Sequence, residues 1–464
     1  MTNSNAFFVP DWLRSRAMSE REFRALLDRG DAAAAHQHAL AQIAAAEGDL
    51  RKQWSKSAAL ACLKRNDSAG AYEHLAASGG YRFGANDFYN FGLACDGTGR
   101  YEEAVANYRR ALSLAPDDPN TLNNMGRTLD RLGQFDEAEA LLRRALELTG
   151  GKNDNAHLNL AFSLLTRGRW AEGWPHYEAR LKVYAVMPEM PYPLWDGKAL
   201  SDTILLLRAE QGLGDAIQFS RFAMLMGAAA PVVLQVPASL VPLMKSLANV
   251  HGVIGADQVI KSEKRIVWLP LLSVPGKTGI TPECLPAPRS YLSAEPSRVE
   301  RWREWLPRAG FRIGINWQGS AVGDIDRGRS VPLALFEPLA GLPDVRLVSL
   351  QKGFGTEQIA EAPFRDRLLV PPEDFDTAGA FLDTAALMMS LDLIITTDTA
   401  VAHLAGALGR PTFLLLKHIP DWRWLLDRED TPWYPTMRLF RQRRRGDWHQ
   451  VFERLTAAVA ELRG

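Results

Sequence analysis

Cysteine is nearly missing from this chain: Cys62, Cys95 and Cys284 are the only three in 464 residues. An odd number without short metal-ligand spacing argues against a disulfide framework and for reduced thiols in the cytosol. Net charge is missing too. Lys+Arg and Asp+Glu each total 54, which removes the broad basic field that nucleic-acid binders use. No run approaches the roughly eighteen unbroken apolar residues of a membrane span. The first turns of sequence, with Asp11, Arg14, Arg16, Glu20 and Glu22 among short apolar pieces, lack the pattern of a secretory signal. What remains is a globular composition, 47% hydrophobic and 23% charged. At roughly 150 residues per domain, the length predicts about three folding units in a soluble, cytoplasmic protein.

Proline is almost absent before about residue 190, where Ala, Leu, Glu and Arg dominate, and clusters after it. The first half repeats itself. Gly92, Gly99, Tyr101, Ala104, Tyr108, Ala111 and Pro116 set an order that Gly126, Gly133, Phe135, Ala138, Leu142 and Ala145 follow 34 residues later. Ala161, Gly168, Trp170, Gly173 and Tyr177 follow it again after 35. Small residues where two helices touch, a glycine in the turn and an aromatic just beyond it are what a helix–turn–helix unit requires. This period resembles the tetratricopeptide repeat (TPR). Residues 51–81, with Trp54, Ala58, Gly70 and Ala77, read as a decayed copy, and residues 19–48 as helices capping the stack. Asn90, Asn124 and Asn159 hold one place in successive repeats. Stacking would line them along a concave groove, where amides can bind an extended peptide; alternatively, asparagine is simply common at that place.

After Pro193, short apolar runs alternate with helical stretches, as in parallel sheets covered on both faces. Strands are expected at 203–207, 232–236, 266–269, 312–317, 346–350, 368–370, 393–396 and 412–416. A proline-rich connection at 270–292 joins the two series. The expected architecture is an α-helical superhelix followed by an α/β pair of Rossmann-like lobes. Its parts are a helical cap (1–50), repeats (51–187), a first lobe (188–305), a second lobe (306–445) and a terminal helix (446–464). That helix would dock through Val451, Leu455, Ala458 and Leu462.

Ligands of such sheets bind at the carboxyl ends of strands, and four segments fall there. Gly212 and Gly214 permit a tight turn, and Asp215 then begins a helix, either as a general base or as a first-turn acid. Asp398 is a fitting N-cap that leaves the amides of Thr399, Ala400 and Val401 facing a phosphate. His403, one turn in, either bonds a neighbouring carbonyl or meets ligand. The Trp317–Arg329 loop, with Gly319, Arg327 and Arg329, suits a diphosphate because guanidinium grips phosphate oxygens bidentately. Asp324-Ile325-Asp326 within it has the shape of a metal-binding triplet, though nothing nearby strengthens it, and no metal is assigned. Asp421-Trp422-Arg423-Trp424 with Trp433-Tyr434 either stacks on a base or sugar or seals the joint between lobes. Arg441, Arg443, Arg444 and Arg445 read as a solvated face.

Taken together, residues 203–445 resemble the GT-B glycosyltransferases of the heptosyltransferase-like family 9. Gly214-Asp215, Asp398-Thr399-x-x-x-His403 before Leu404-Ala405, and Ala407-Leu408-Gly409-Arg410-Pro411 carry the likeness. The whole chain looks like bacterial TPR-containing members of that clan, including those that modify flagellin. The resemblance implies a GT-B fold, a nucleotide-sugar donor as substrate in the second lobe, no metal and no other cofactor. It makes Asp215 the general base and Asp398, Thr399, Ala400 and His403 the donor-binding helix start, with Arg327 or Arg329 against the phosphates. Glu210-Gln211-Gly212-Leu213 before the Gly-Asp pair, and the repeats themselves, depart from the heptosyltransferase pattern and argue against a lipid-core acceptor. The expected reaction is an inverting sugar transfer to a hydroxyl on a protein held in the repeat groove. Two rivals stand beside it: transfer to a lipid-linked or free glycan with repeats that self-associate into a homo-oligomer, and a non-catalytic scaffold.

Overall fold

The computed structural model describes residues 11–186, 189–320 and 326–463. They divide into two compact units, one running to Leu160 and the other from Ala161 onward.

The first unit is helical. Its helices are α1 (Asp11–Asp28), α2 (Ala32–Ala45), α3 (Gly48–Lys64), α4 (Ser68–Ala77), α5 (Ala85–Gly97), α6 (Tyr101–Leu114), α7 (Pro119–Arg131) and α8 (Phe135–Leu148). The helix α9 (Asp154–Thr166) crosses the division. Neighbours pair, α5 on α6 and α7 on α8, with Gly99 and Gly133 turning the chain at φ 79° and 77°. The small residues do what the repeat demands. A Cβ on Gly92 would lie 2.4 Å from the ring of Tyr108, and one on Gly126 would lie 2.8 Å from Leu142 Cγ. The expected division between cap and repeats at residue 50 falls inside α3.

The third repeat copy belongs to the second unit. Trp170 and Trp174 on α10 (Trp170–Tyr177) join a ring cluster with Trp422 and Trp433, at centroid distances of 5.3 Å for Trp170–Trp433 and 5.4 Å for Trp174–Trp422. Trp174 Nε1 donates to the Ile280 carbonyl at 2.6 Å. In α11 (Arg180–Val183), buried Arg180 pairs with Glu210 at 2.8 Å. The expected end of the repeats at 187 lies outside the described residues.

Two all-parallel sheets follow. The first contains β1 (Thr203–Arg208), β2 (Val232–Val236), β3 (Gly252–Gly255) and β4 (Arg265–Pro270) in the order β3-β2-β1-β4. The second contains β5 (Phe311–Asn316), β6 (Val345–Ser349), β7 (Leu368–Leu369), β8 (Leu393–Thr397), β9 (Thr412–Leu416) and β10 (Met437–Arg441), ordered β10-β9-β8-β5-β6-β7. Counted from its own first strand, each sheet runs 3-2-1-4, and the second extends this to the full doubly wound order 3-2-1-4-5-6. Strand order therefore reverses between β1 and β4 and between β5 and β8. Ligand crevices open at such points.

Two strands escaped the sequence reading. β3 is a short edge bounded by two glycines, and β10 carries Arg438 and Arg441 among three apolar residues. Arg441 is consequently no solvated residue: its guanidinium donates to the carbonyls of Trp424 and Leu425 at 3.0 and 2.8 Å, whereas Arg443, Arg444 and Arg445 are exposed. Likewise, the proline-rich connection contains a short helix, Val274–Thr278. The terminal helix His449–Arg463 buries Val451, Phe452, Leu455, Ala458 and Val459 against the second sheet's core, while Leu462 is exposed.

Filling the Gly92 notch tests the helix contact. Gly92→Ala gains helix propensity but drives a methyl into the fully buried Tyr108 ring. Overpacking of this kind costs about 1–3 kcal/mol, so the variant should melt several degrees lower in a calorimeter; an unchanged or raised melting temperature would contradict the packing.

Candidate active site

The carboxyl ends of both sheets open onto one cavity of about 1170 Å³, lined by Gly212, Asp215, Gly319, Arg329, Asp398, Thr399, Ala400 and His403 among others. Arg327 is not among its lining residues. Arg329 is, held by Asp326, whose Oδ1 lies 3.6 Å from its Nε. Gly319 makes room for it, since a Cβ there would stand 2.3 Å from Arg329 Nη2. Asp324 and Ile325 of the acidic triplet lie outside the described residues.

Asp215 sits in the first turn of the helix Leu213–Gly227, which leaves β1. Both of its oxygens have partners. Oδ2 accepts the Gly212 N–H at 3.0 Å, capping the helix, and Oδ1 accepts from Arg423 Nη2 at 2.5 Å. Arg423 also donates to Asp421 Oδ1 at 2.8 Å and to Gln218 Oε1 at 2.7 Å, and lies over the Trp422 ring. Burial raises the Asp215 pKa above its ordinary value, against the pull of Arg423 and of the Gly212 amide. Burial opposes the charge on Arg423 too, but Asp421 and Asp215 outweigh it and hold the guanidinium charged.

The glycines play other parts than a tight turn. The left-handed residue of this loop is Gln211, at φ 67°, while Gly212 is extended at φ −83° and ψ 166°. Gly214 is required by packing: a Cβ there would meet His403 Cδ2 at 3.0 Å and Ala400 Cα at 3.2 Å. It lets the Leu213–Gly227 helix touch the helix Ala400–Ala407 that follows β8.

At that second helix the N-cap is Thr399, not Asp398. Thr399 is extended (φ −136°, ψ 175°) and makes no side-chain cap; its hydroxyl donates instead to Asn316 Oδ1 at 2.8 Å. A carboxylate at the cap position would have closed the first-turn amides, and the threonine leaves them without a side-chain acceptor. Asp398 precedes them with its pKa pushed from 3.8 up to about 6, chiefly by burial and then by the charge of Asp421, against the pull of Arg329. His403 is buried rather than on a rim. Its Nδ1 lies 3.0 Å from the Tyr434 hydroxyl and its ring stacks on Trp424 at 5.5 Å. Burial, followed by the charges of Arg423 and Arg221, drives its pKa well down, so it is neutral.

Sequence reasoning missed three positioning residues. Asn316, at the end of β5, bridges Thr399 to Gln351, whose Oε1 receives Asn316 Nδ2 at 2.7 Å and the amides of Trp317 and Gln318 at 3.1 and 3.0 Å. Arg423 was submerged in an aromatic run. A lone polar residue closing an apolar strand was the available signal for Asn316.

The asparagines do not form one open ladder. Asn124 Nδ2 donates to the Tyr89 hydroxyl at 3.0 Å, and Asn159 Nδ2 to Asn123 Oδ1 at 2.9 Å, while Asn90 lines a separate cavity of about 640 Å³ with Lys56, Asp87 and Tyr89.

Asp398 generates a pH test. Because folding raises its pKa from 3.8 to about 6, the folded chain holds an extra proton between those values, and stability falls as pH rises through 6. Asp398→Asn should therefore melt above the parent at pH 7.5, the difference vanishing below about pH 4. A difference that ignores pH would place the carboxyl in a water-like setting.

Residues 88–149 match the tetratricopeptide repeat family model. A protein 29% identical over 434 residues, Protein FlbA of Caulobacter vibrioides, is matched over 87% of this chain and 72% of its own length. Among solved structures, MamA from Desulfovibrio magneticus RS-1 is 15% identical over 36% of this chain and 94% of its own, with a TM-score of 0.33. A tetratricopeptide repeat protein from Parabacteroides merdae is 17% identical over 37% of this chain and 68% of its own, with a TM-score of 0.32. The chain thus carries tetratricopeptide repeats ahead of an α/β region, and no described helix is long and apolar enough to cross a membrane.

Proposed function

We propose that this chain is a GT-B glycosyltransferase that moves a sugar from a nucleotide-sugar donor to a hydroxyl of a protein acceptor, with inversion and without metal. One observation carries the reading: two doubly wound sheets share a cavity in which the Asp215 carboxylate accompanies the uncapped amides at Thr399–Val401. In the proposed step the acceptor oxygen attacks the anomeric carbon and its proton passes to Asp215. The bond from that carbon to the phosphate oxygen breaks, and the nucleotide diphosphate leaves with the electron pair. Negative charge then grows on the phosphate, where the first-turn amides and Arg329 stabilise it. Asp398, whose pKa is pushed up to about 6, can take up a proton as that group arrives and so relieve the repulsion. Neutral His403 packs the helix start in place. The repeats would supply the protein acceptor, flagellin being the one the family resemblance suggests.

A scaffold reading has one observation in its favour: both Asp215 oxygens are already engaged, one by a helix cap and one by Arg423. Asp215→Ala would strand a buried guanidinium, so Asp215→Asn, which preserves shape and the cap acceptor, is the cleaner variant. The parent should melt higher with a nucleotide sugar bound, release or transfer its sugar, and add the sugar mass to an acceptor such as flagellin. Asp215→Asn should keep the melting shift but lose about 10²–10⁴-fold in rate. Full activity in that variant removes Asp215 as base. No shift with any nucleotide or nucleotide sugar favours the scaffold, and transfer to glycans alone favours the glycan acceptor.

A further inference from the structure

We propose that His36, Cys62 and His74 bind a divalent transition-metal ion, best matched by zinc, that staples α2, α3 and α4. One ligand atom from each residue lies within 4.8 Å of the others. The two imidazole Nε2 atoms stand 3.2 Å apart. Zinc–nitrogen bonds of about 2.0–2.1 Å at a tetrahedral angle require roughly 3.3 Å between the nitrogens. The imidazoles thus already hold the spacing that an ion imposes. Soft thiolate with two imidazoles suits zinc over magnesium or calcium, which take oxygen ligands.

The surroundings leave room beside the sulfur, whose thiol is hydrogen-bonded to Asp67. Gly70 faces Cys62, and any Cβ there would approach the sulfur to 3.1 Å and Asp67 Oδ2 to 2.5 Å. Asp67 is fixed by capping α4, accepting the Gly70 amide at 2.8 Å. Its carboxylate, with that of Glu73, supplies negative charge beside the cluster. Arg65 donates to His36 Nδ1 at 3.1 Å, but it is exposed and can turn into solvent when the imidazole proton moves to Nδ1. Coordination releases the Cys62 thiol proton to solvent, and a water completes the fourth position on the partly exposed histidine side. Short-spacing motifs miss this set because each ligand comes from a different helix.

The competing account is a hydrogen-bonded histidine pair beside an inert thiol. Full-length protein carrying Cys284→Ser, which removes the exposed thiol, is stripped with chelator and titrated with Co²⁺ alone. One equivalent should bring up a thiolate-to-cobalt charge-transfer band that Zn²⁺ bleaches, and Zn²⁺ alone should raise the melting temperature by several degrees. Cys62→Ser and, should that variant misfold, the partly exposed His36→Gln and His74→Gln should lose both signals. Absence of the band together with an unmoved melting temperature overturns the proposal, as does full retention of both in His74→Gln.

Discussion

The α/β unit is organised around one guanidinium. Arg423 reaches from the segment after β9 to Asp215 and Gln218 on the helix that follows β1, and back to Asp421 beside it. Together with Arg221, which donates from the same helix to the Trp433 carbonyl, it makes a charged bridge between elements of the two sheets, in surroundings where an uncompensated charge would cost several kcal/mol. Every donor direction used is matched by an acceptor, so the bridge fixes geometry more than it adds stability. Around it, Trp422 and Trp433 meet Trp170, and Trp422 also meets Trp174 and Tyr177, so that the third repeat becomes part of the same core. The apolar seal excludes water, and this strengthens the polar contacts that it encloses.

That exclusion sets the electrostatics of the cavity. Burial pushes Asp215 and Asp398 in the same direction, but a guanidinium touches only the first. At Asp215 the guanidinium offsets part of that rise, whereas the Asp398 pKa is pushed up to about 6. Two carboxyls separated by environment in this way are suited to different tasks. On the proposed function, the one beside Arg423 accepts a proton and the one beside the helix start loses its charge when the anion approaches.

Much of this was legible in the sequence, and for identifiable reasons. Helix pairs announced themselves because Gly92 and Gly126 recur where Tyr108 and Leu142 need space. β1, β5, β8 and β9 stood out as apolar runs because both faces of their sheets are covered. β3 was illegible because it is four residues long and bounded by glycines, and β10 because arginines interrupt its apolar run, Arg441 spending its polar end on carbonyls from elsewhere in the chain. The site was visible one residue at a time but not as a network. Nothing in Asp-Thr-Ala tells whether Asp398 or Thr399 caps the helix; that is decided by Asn316, 83 positions earlier, which takes the threonine hydroxyl. Nor does spacing reveal that Gly214 is small for the sake of Ala400 and His403 on another strand's helix.

The same principle governs how, on the proposed function, Asp215 would be both cap and base. Its Oδ2 faces the Gly212 amide and its Oδ1 faces Arg423, yet each carboxylate oxygen carries more than one acceptor direction. A cap fixes the carboxylate in space without neutralising it, and a single orientation is what in-line proton transfer needs. The arginine is the stronger constraint, because a short charge-assisted bond lowers basicity as surely as burial raises it. On the proposed function, the contact with Arg423 therefore sets how readily Asp215 takes the acceptor's proton.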